Sequence, residues 1–256
     1  MAGIGVAVLG SGSAGNSIAV TSAGSTVLLD CGFSARETVR RLEACSIDAS
    51  SVVALLVSHE HSDHVRGIRV LAKRLGVPVY ASRGTRRAAS LDALVADVRE
   101  IRAGAPLALA GMTVTAFPTS HDAAEPLGFR FDAESGDSLG VLTDTGALTP
   151  EAHETLTSCS ALGIECNHDI DMVETGPYPW FLKRRILSDR GHLSNTAAAE
   201  ALSRLASGTL TSVVALHLSR TNNTAALAFA SLCGELDRLG HPATVATAAQ
   251  EAPCIL

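Results

Sequence analysis

Three histidines and an aspartate stand within six residues of one another, directly after an apolar run. The run covers residues 52–57, and its β-branched and aliphatic side chains predict a strand that is buried on both faces. The segment that follows is HEHSDH, residues 59–64. Burying several imidazoles and a carboxylate together is costly unless something neutralises them. We therefore interpret the segment as a loop wrapped around metal; the alternative is an exposed polar turn that is rich in histidine by chance.

The rest of the chain alternates short apolar runs with amphipathic segments. Strands are predicted at residues 4–9, 17–20, 26–29, 77–81, 106–109, 112–117, 127–131, 138–142, 161–164, 213–216 and 243–247. Helices are predicted at residues 34–44, 65–75, 179–188, 196–205 and 224–239, with another beginning at Thr149. No repeat or linker divides the chain, so we predict one α/β domain over residues 1–256.

Composition narrows the class of protein. The chain is 46% hydrophobic and 18% charged, which is typical of a folded, soluble protein. It has no basic segment before its first apolar run and no run long enough to cross a bilayer, so a cytoplasmic location without a membrane partner is expected. The net charge of −6 argues against a surface that coats nucleic acid generally. Lys183, Arg184 and Arg185 with Arg190 form the best local basic patch, although such a run is often only a solvated helix face.

A glycine-rich motif near the N-terminus matches a dinucleotide-binding motif in its spacing but not in its context. Residues 10–15 read GSGSAG after a predicted strand, and Asp30 stands twenty positions beyond Gly10. A dinucleotide site needs a helix directly after the glycines to hold the pyrophosphate. The residues that follow predict two strands and a turn instead, so we interpret the motif as a tight loop.

The HxHxDH spacing of residues 59–64 resembles the signature of the metallo-β-lactamase superfamily. The resemblance implies an αββα sandwich, in which helices flank two mixed β-sheets. It also implies that His59 and His61 bind a first metal ion and that Asp63 and His64 bind a second.

Three further ligands are implied by the same resemblance, and the sequence supplies each of them after a predicted strand. They are His121, Asp144 and His217, and Asp144 would bridge the two ions. Each residue taken alone would more often be an ordinary polar residue. Their order and their common position at strand ends make the full set of seven improbable as a coincidence.

Several longer blocks resemble the YycJ (WalJ) group within this superfamily. They begin at Gly10, Leu28, Ser58, Ile164, Gly176, Gly191 and His217, and read GSGSAGNS, LLDCG, SHEHSDH, IECNHD, GPYP, GHLSN and HLSRTNN. The resemblance implies a phosphodiesterase-type nuclease, related to RNase Z, with 5′-to-3′ DNA exonuclease activity. Nucleic acid, DNA more than RNA, is the expected partner.

Two residues outside the seven also fit this comparison. Glu165 and His192 match a glutamate-oriented histidine that acts near the leaving group in RNase Z-type enzymes. A histidine held by a carboxylate can serve as a general acid. The alternative is that His192 caps its helix or packs against Pro177. The role of His168 stays open.

The mechanism expected from these residues is attack by a hydroxide shared between two divalent ions, with Asp63 orienting the nucleophile. Zn²⁺, Mn²⁺ or Fe²⁺ would suit the ligands. Ser219, Asn222 and Asn223, with Lys183 and Arg184, are the expected substrate contacts, although Asn223 is also suited to capping a helix. Two other functions stay open: hydrolysis of a small ester, lactone or thioester, and a metal-stabilised regulatory partner in a two-component pathway. Oligomeric state is undetermined.

Overall fold

The apolar runs form strands, and the strands form two sheets. The computed structural model describes residues 2–256. The first sheet contains β1 (Gly5–Gly10), β2 (Ser17–Ser22), β3 (Ser25–Leu29), β4 (Val52–Leu56), β5 (Val79–Ala81), β6 (Val98–Glu100) and, at its other edge, the last strand of the chain (Cys254–Ile255). The second sheet contains β7 (Pro106–Leu109), β8 (Met112–Pro118), β9 (Leu127–Ala133), β10 (Ser138–Leu142), β11 (Ala161–Glu165), β12 (Ser212–Leu216) and β13 (Thr244–Thr247).

Both sheets are mixed. In the first sheet β1, β2 and β3 pair antiparallel, whereas β3 to β6 run parallel. In the second sheet β7 to β10 pair antiparallel, whereas β10 to β13 run parallel. It follows that β1, β3 and β4 end at one edge of the first sheet, and that β8, β10, β11 and β12 end at one edge of the second.

Three apolar layers hold the sheets and helices together. Side chains alternate between the faces of a strand, so neighbouring residues enter different layers. Leu29 and Leu56 face the second sheet, whereas Leu28 and Leu55 face helices on the outside of the first. The second sheet has its own outer helical layer, which includes Leu202. The prediction of two mixed sheets flanked by helices is confirmed.

Ten α-helices lie within residues 2–256. They are α1 (Ala35–Ala44), α2 (Ser62–Val65), α3 (Ile68–Leu75), α4 (Arg83–Ala88), α5 (Leu91–Leu94), α6 (Pro150–Leu156), α7 (Ile170–Thr175), α8 (Trp180–Ile186), α9 (Asn195–Leu205) and α10 (Ala225–Leu239). Two helices begin where they were predicted, each with a capping side chain: Ser34 accepts a hydrogen bond from Glu37 N, and Thr149 accepts one from Ala152 N. Among the same residues, no helix has both the length and the apolar character needed to cross a membrane.

The single helix predicted over residues 65–75 is wrong. The structure has α2, which contains half of the histidine-rich segment, and then α3. Gly67 separates them, because its N–H donates to Cys31 O at 2.8 Å and a Cβ there would collide with Phe33 O. Short elements whose sequences carry little periodicity were not predicted: α4, α5, α7, β6 and the final strand.

The histidine-rich segment lies directly against the turn after β3. Cys31 N donates to His64 O at 2.7 Å, and Asn16 N donates to Asp63 O at 2.8 Å. Gly32 fits between these bonds because it has no side chain; a Cβ there would lie 1.7 Å from Asp63 O. Backbone contacts therefore fix the position of this segment on the sheet.

We predict that Gly32→Ala lowers the free energy of unfolding by about 3 kcal/mol, because the added methyl group displaces backbone that cannot move cheaply. Urea denaturation measures the change. Gly234→Ala is the matched control, because Gly234 lies inside α10 and nothing lies within 4 Å of the added Cβ. Its free energy of unfolding should rise by up to about 1 kcal/mol, since alanine favours the helix more than glycine does. Equal stability of the two variants would contradict the close packing at Gly32.

Candidate metal centre

The predicted ligands meet where the parallel strands of both sheets end. His59 follows β4, His121 follows β8, Asp144 follows β10 and His217 follows β12. Strands that run in the same direction bring their carboxyl ends to one edge of a sheet. The two edges face one another, since His64 Nε2 lies 3.3 Å from Asp144 Oδ2. The sequence-predicted set is thus brought together.

The seven side chains divide into two groups joined by Asp144. The imidazole group consists of His59, His61 and His121. The mixed group consists of Asp63, His64 and His217. Within each group the potential ligand atoms lie within 4.8 Å of one another. Asp144 lies between the groups: its Oδ1 is 3.1 Å from His217 Nδ1 and 3.9 Å from His121 Nε2, and its Oδ2 is 3.3 Å from His64 Nε2.

Two nitrogen–nitrogen distances in the imidazole group are close to those around a tetrahedral metal ion. His61 Nδ1 lies 3.0 Å from His59 Nε2 and 3.3 Å from His121 Nε2. A tetrahedral zinc ion with bonds of about 2.0–2.1 Å separates its nitrogens by roughly 3.3 Å. Burial lowers the pKa of His59 well below its ordinary value, and burial also lowers that of His121. Neutral imidazoles offer lone pairs, so this group fits a divalent metal.

The histidines of the mixed group lie beside buried carboxylates. Burial opposes charge on His64, yet the nearby carboxylates of Asp144 and Asp30 raise its pKa to about 10. Asp144 raises the pKa of His217 in the same way, and His217 Nε2 is buried without a hydrogen-bond partner. A metal ion competes with a proton for the same lone pair. An environment this favourable to a proton also fits a divalent ion.

Asp30 and Ser58 orient the histidines from behind. Asp30 Oδ2 lies 2.8 Å from His64 Nδ1, and it accepts a hydrogen bond from Ser58 Oγ at 2.8 Å. Ser58 Oγ also contacts His59 Nδ1 at 3.0 Å. Such partners fix the ring orientation of metal-binding histidines. Sequence reasoning assigned neither residue a role, although a carboxylate directly after the apolar strand β3 was a usable signal.

Three residues at this edge adopt a left-handed backbone that is unfavourable for residues other than glycine. They are Asp30 (φ 63°), Asp144 (φ 50°) and His217 (φ 54°). Each stands at or near the end of a strand, and each has a side chain in the ion-binding network. Strain of this kind persists where the surrounding structure holds it and it collects at functional sites.

The glycine-rich loop belongs to the site and not to a dinucleotide fold. The strand β2 follows it directly, which confirms that the pyrophosphate-binding helix is missing from its expected place. Ser11 Oγ accepts a hydrogen bond from His217 N at 2.8 Å. Asn16 accepts one from Gly12 N at 2.8 Å and donates to Asp63 Oδ2 at 3.2 Å. The loop therefore supports residues from both sheets.

Glu165 and His192 form the predicted pair. His192 Nδ1 lies 2.7 Å from Glu165 Oε1, which also lies 3.0 Å from His217 Nδ1. Burial opposes ionisation of Glu165, but the charge of His192 and hydrogen bonds from both histidines lower its pKa. Ser194 caps α9, so the alternative role of His192 as a helix cap does not apply.

A cleft of about 310 Å³ opens over the site. Its lining includes His61, Asp63, Asp144, His192, Ser219 and Arg185. Of the predicted substrate contacts, Ser219 alone is in this lining. Asn222 is buried with an unpartnered amide, and Asn223 binds Cys166 O and Asn195; the cap of α10 is Thr224. Lys183 and Arg184 lie outside the cleft, with Lys183 bound to Glu174 O.

The family model of the beta-lactamase superfamily domain matches residues 25–217. Exodeoxyribonuclease YycJ of Bacillus anthracis is 34% identical, with 93% of this chain and 91% of that protein covered. Exodeoxyribonuclease WalJ of Streptococcus pneumoniae is 33% identical, with 90% and 87% covered. The chain belongs to the metallo-β-lactamase superfamily. The fold agrees with the metallo-beta-lactamase fold protein YhfI of Bacillus subtilis, at TM-score 0.74, 17% identity and 99% coverage of each chain.

Membership confirms the predicted family and the predicted class of enzyme. The protein is a metal-dependent hydrolase, and its clustered histidines and aspartates are spaced so that they could hold a divalent metal ion. Its likeness to the YycJ/WalJ proteins extends over nearly the whole chain, as the blocks from Gly10 to Asn223 indicated.

His168 is buried beside this site without belonging to a ligand group. Its Nδ1 has no hydrogen-bond partner, whereas its carbonyl oxygen accepts from Asn195 N at 2.8 Å. Burial lowers the pKa of His168 from 6.5 to about 4. The folded protein therefore holds His168 neutral at a pH where the unfolded chain would protonate it.

We predict that burial of His168 makes the free energy of unfolding decrease as the pH is lowered. Its contribution is complete above pH 6.5 and is lost as the pH falls towards 4, because only the unfolded chain gains the proton in that window. Across this window the metal-free wild type should lose about 3 kcal/mol more than His168→Gln. Urea denaturation of both proteins at several pH values measures the difference, and parallel curves would contradict the prediction.

Proposed function

We propose that the protein is a two-metal phosphodiesterase that degrades nucleic acid from an end, with DNA preferred to RNA. One observation carries the proposal: Asp144 lies between two ligand groups beneath a cleft that is also lined by His192, which Glu165 holds from behind. Two relatives that are named exodeoxyribonucleases support a DNA strand end as the substrate. The resemblance to the YycJ group supports cleavage in the 5′-to-3′ direction.

In this proposal the imidazole group and the mixed group would each hold one divalent ion, with Asp144 placed between them. Zn²⁺, Mn²⁺ and Fe²⁺ all suit a set of imidazoles and carboxylates. When bound, the ions would supply Lewis acidity that polarises the scissile phosphate and lowers the pKa of the attacking water. Asp63, which lines the cleft and accepts a hydrogen bond from Asn16, would orient that water.

His192 is the proposed general acid. Glu165 engages Nδ1, which leaves Nε2 as the nitrogen available to the substrate. The His192 side chain is 21% exposed, so a leaving oxygen in the cleft can reach it, whereas Glu165 is fully buried. Glu165 is thus a positioning residue: its carboxylate fixes the orientation of the His192 ring. Ser219 is the proposed contact to a non-bridging phosphate oxygen, since it lies in the cleft lining.

We predict two divalent ions per chain in protein loaded with Zn²⁺ or Mn²⁺ and freed of excess metal. His121→Ala removes a nitrogen from the imidazole group, and Asp63→Ala removes a carboxylate from the mixed group, so each variant should retain about one ion. Plasma mass spectrometry gives the count. His153→Ala, in α6 and outside both groups, should keep two. A single ion in the wild type would contradict the two-metal proposal.

We predict that the effect of His192→Ala depends on the leaving group. Loss of a general acid should slow cleavage of 5′-phosphorylated DNA by about 10²–10⁴-fold. The loss should be far smaller with bis-p-nitrophenyl phosphate, because p-nitrophenolate departs without protonation. Steady-state kcat values for both substrates test this, with Asp63→Ala as the variant expected to lose both activities.

The same assays discriminate among the remaining functions. Equal losses on both substrates in His192→Ala would remove its assignment as the acid. Absence of nucleolytic activity with Zn²⁺, Mn²⁺ and Fe²⁺, together with turnover of a lactone or thioester panel, would replace the nuclease proposal with small-ester hydrolysis. Comparing the cleavage rates of RNA and DNA of the same sequence determines which nucleic acid is preferred.

A further inference from the structure

Two large aromatic side chains project from the molecule at the start of α8. Trp180 is 67% exposed and Phe181 is 63% exposed, more than any other aromatic residue among the exposed hydrophobic side chains within residues 2–256. Aromatic surface is normally buried because its contact with water is unfavourable. Exposure of two adjacent aromatic residues at one place indicates a surface that another molecule covers.

Basic side chains lie beside these aromatic residues, although the chain as a whole is acidic, with net charge −6. The guanidinium of Arg184 lies 5.4 Å from the centre of the Trp180 ring. Neither Lys183 nor Arg184 has a carboxylate partner within the part of the chain that the structure describes, whereas Arg185 is paired with Asp122. The covering molecule is therefore expected to combine planar apolar groups with negative charge.

The aromatic surface is continuous with the catalytic cleft. A shallow pocket at this surface is lined by Trp180, Phe181, Arg184, Arg185 and Ser188. Arg185 also lines the cleft, together with Leu182 and Ile186 from the same helix. The seven residues of α8 extend about 10 Å. That length corresponds to roughly three stacked nucleotides at about 3.4 Å each.

We propose that Trp180 and Phe181 form a stacking platform for the bases of a single nucleic-acid strand whose terminal phosphodiester lies at the metal centre. Bases stack on aromatic rings irrespective of sequence, and cations beside the rings attract the backbone. The platform deepens the proposed nuclease function and rests on it. It assigns Lys183 and Arg184 to the strand that leads into the cleft, away from the scissile phosphate.

Trp180 is the only tryptophan in the chain, so its fluorescence reports on the platform directly. We expect a single-stranded 12-nucleotide DNA with cleavage-resistant phosphorothioate linkages to quench this fluorescence in a saturable manner. An abasic oligomer with the same number of phosphates should leave it nearly unchanged. No quenching by the DNA, or equal quenching by the abasic oligomer, would overturn the proposal.

Substitution at the platform tests its contribution to binding. Trp180→Ala should weaken binding of the fluorescein-labelled 12-mer about tenfold, which corresponds to about 1.4 kcal/mol, and Trp180→Phe should restore most of it. Phe229→Ala is the matched control, because Phe229 is 44% exposed on α10 and is outside the linings of both the cleft and the platform pocket. Binding by Trp180→Ala at wild-type strength would also overturn the proposal.

The ratio of two activities separates failure of the platform from failure of the proposed function. Trp180→Ala should lower cleavage of DNA relative to hydrolysis of bis-p-nitrophenyl phosphate about tenfold, through KM. A wild type that hydrolyses neither substrate contradicts the nuclease function even if DNA quenches Trp180. Analytical ultracentrifugation completes the test: self-association that Trp180→Ala abolishes would show that a second copy covers the surface, and would overturn the platform.

Discussion

The burial of three carboxylates at the candidate metal centre is the constraint on which this structure depends. Asp30, Asp144 and Glu165 are each at most 2% exposed at the facing edges of two sheets; His64 contacts both Asp30 and Asp144, and His217 contacts both Asp144 and Glu165. Buried carboxylates persist only where hydrogen bonds and cations compensate for lost water. Each of the three carboxylates contacts at least one histidine. The left-handed backbone at Asp30 and Asp144 and the bare Cα at Gly32 are local costs of bringing these groups into contact.

Much of the site was predictable because its ligands follow recognisable apolar strands. An apolar run followed directly by a histidine or aspartate can be detected in a single sequence, and the HxHxDH spacing adds a pattern that is rarely structural. His121, Asp144 and His217 were implied by the family resemblance, and their positions after predicted strands supported that assignment. The fold followed from the family resemblance more than from the strands, whose period alone does not determine how two sheets pack.

Other features depended on contacts that no local pattern encodes. Asp30, Ser58 and Asn16 contact His64 from 6 to 48 positions away in the sequence, and no local pattern pairs any of them with that histidine. The break between α2 and α3 lies at Gly67, where the backbone of the turn after β3 approaches too closely for a side chain. Among the basic residues of α8, the orientation of the helix decides which side chain enters the cleft, and composition cannot reveal that orientation.

The division of the ligands between two sheets has a consequence for how the protein forms. The first sheet contributes the ligands within residues 59–64, whereas the second contributes His121, Asp144 and His217. Neither ligand group is complete until these distant parts of the chain have packed together. Contacts this remote in sequence are slow to form. Acquisition of metal would then report completed folding, and the ions would act as late cross-links that make the two sheets come apart together rather than one after the other.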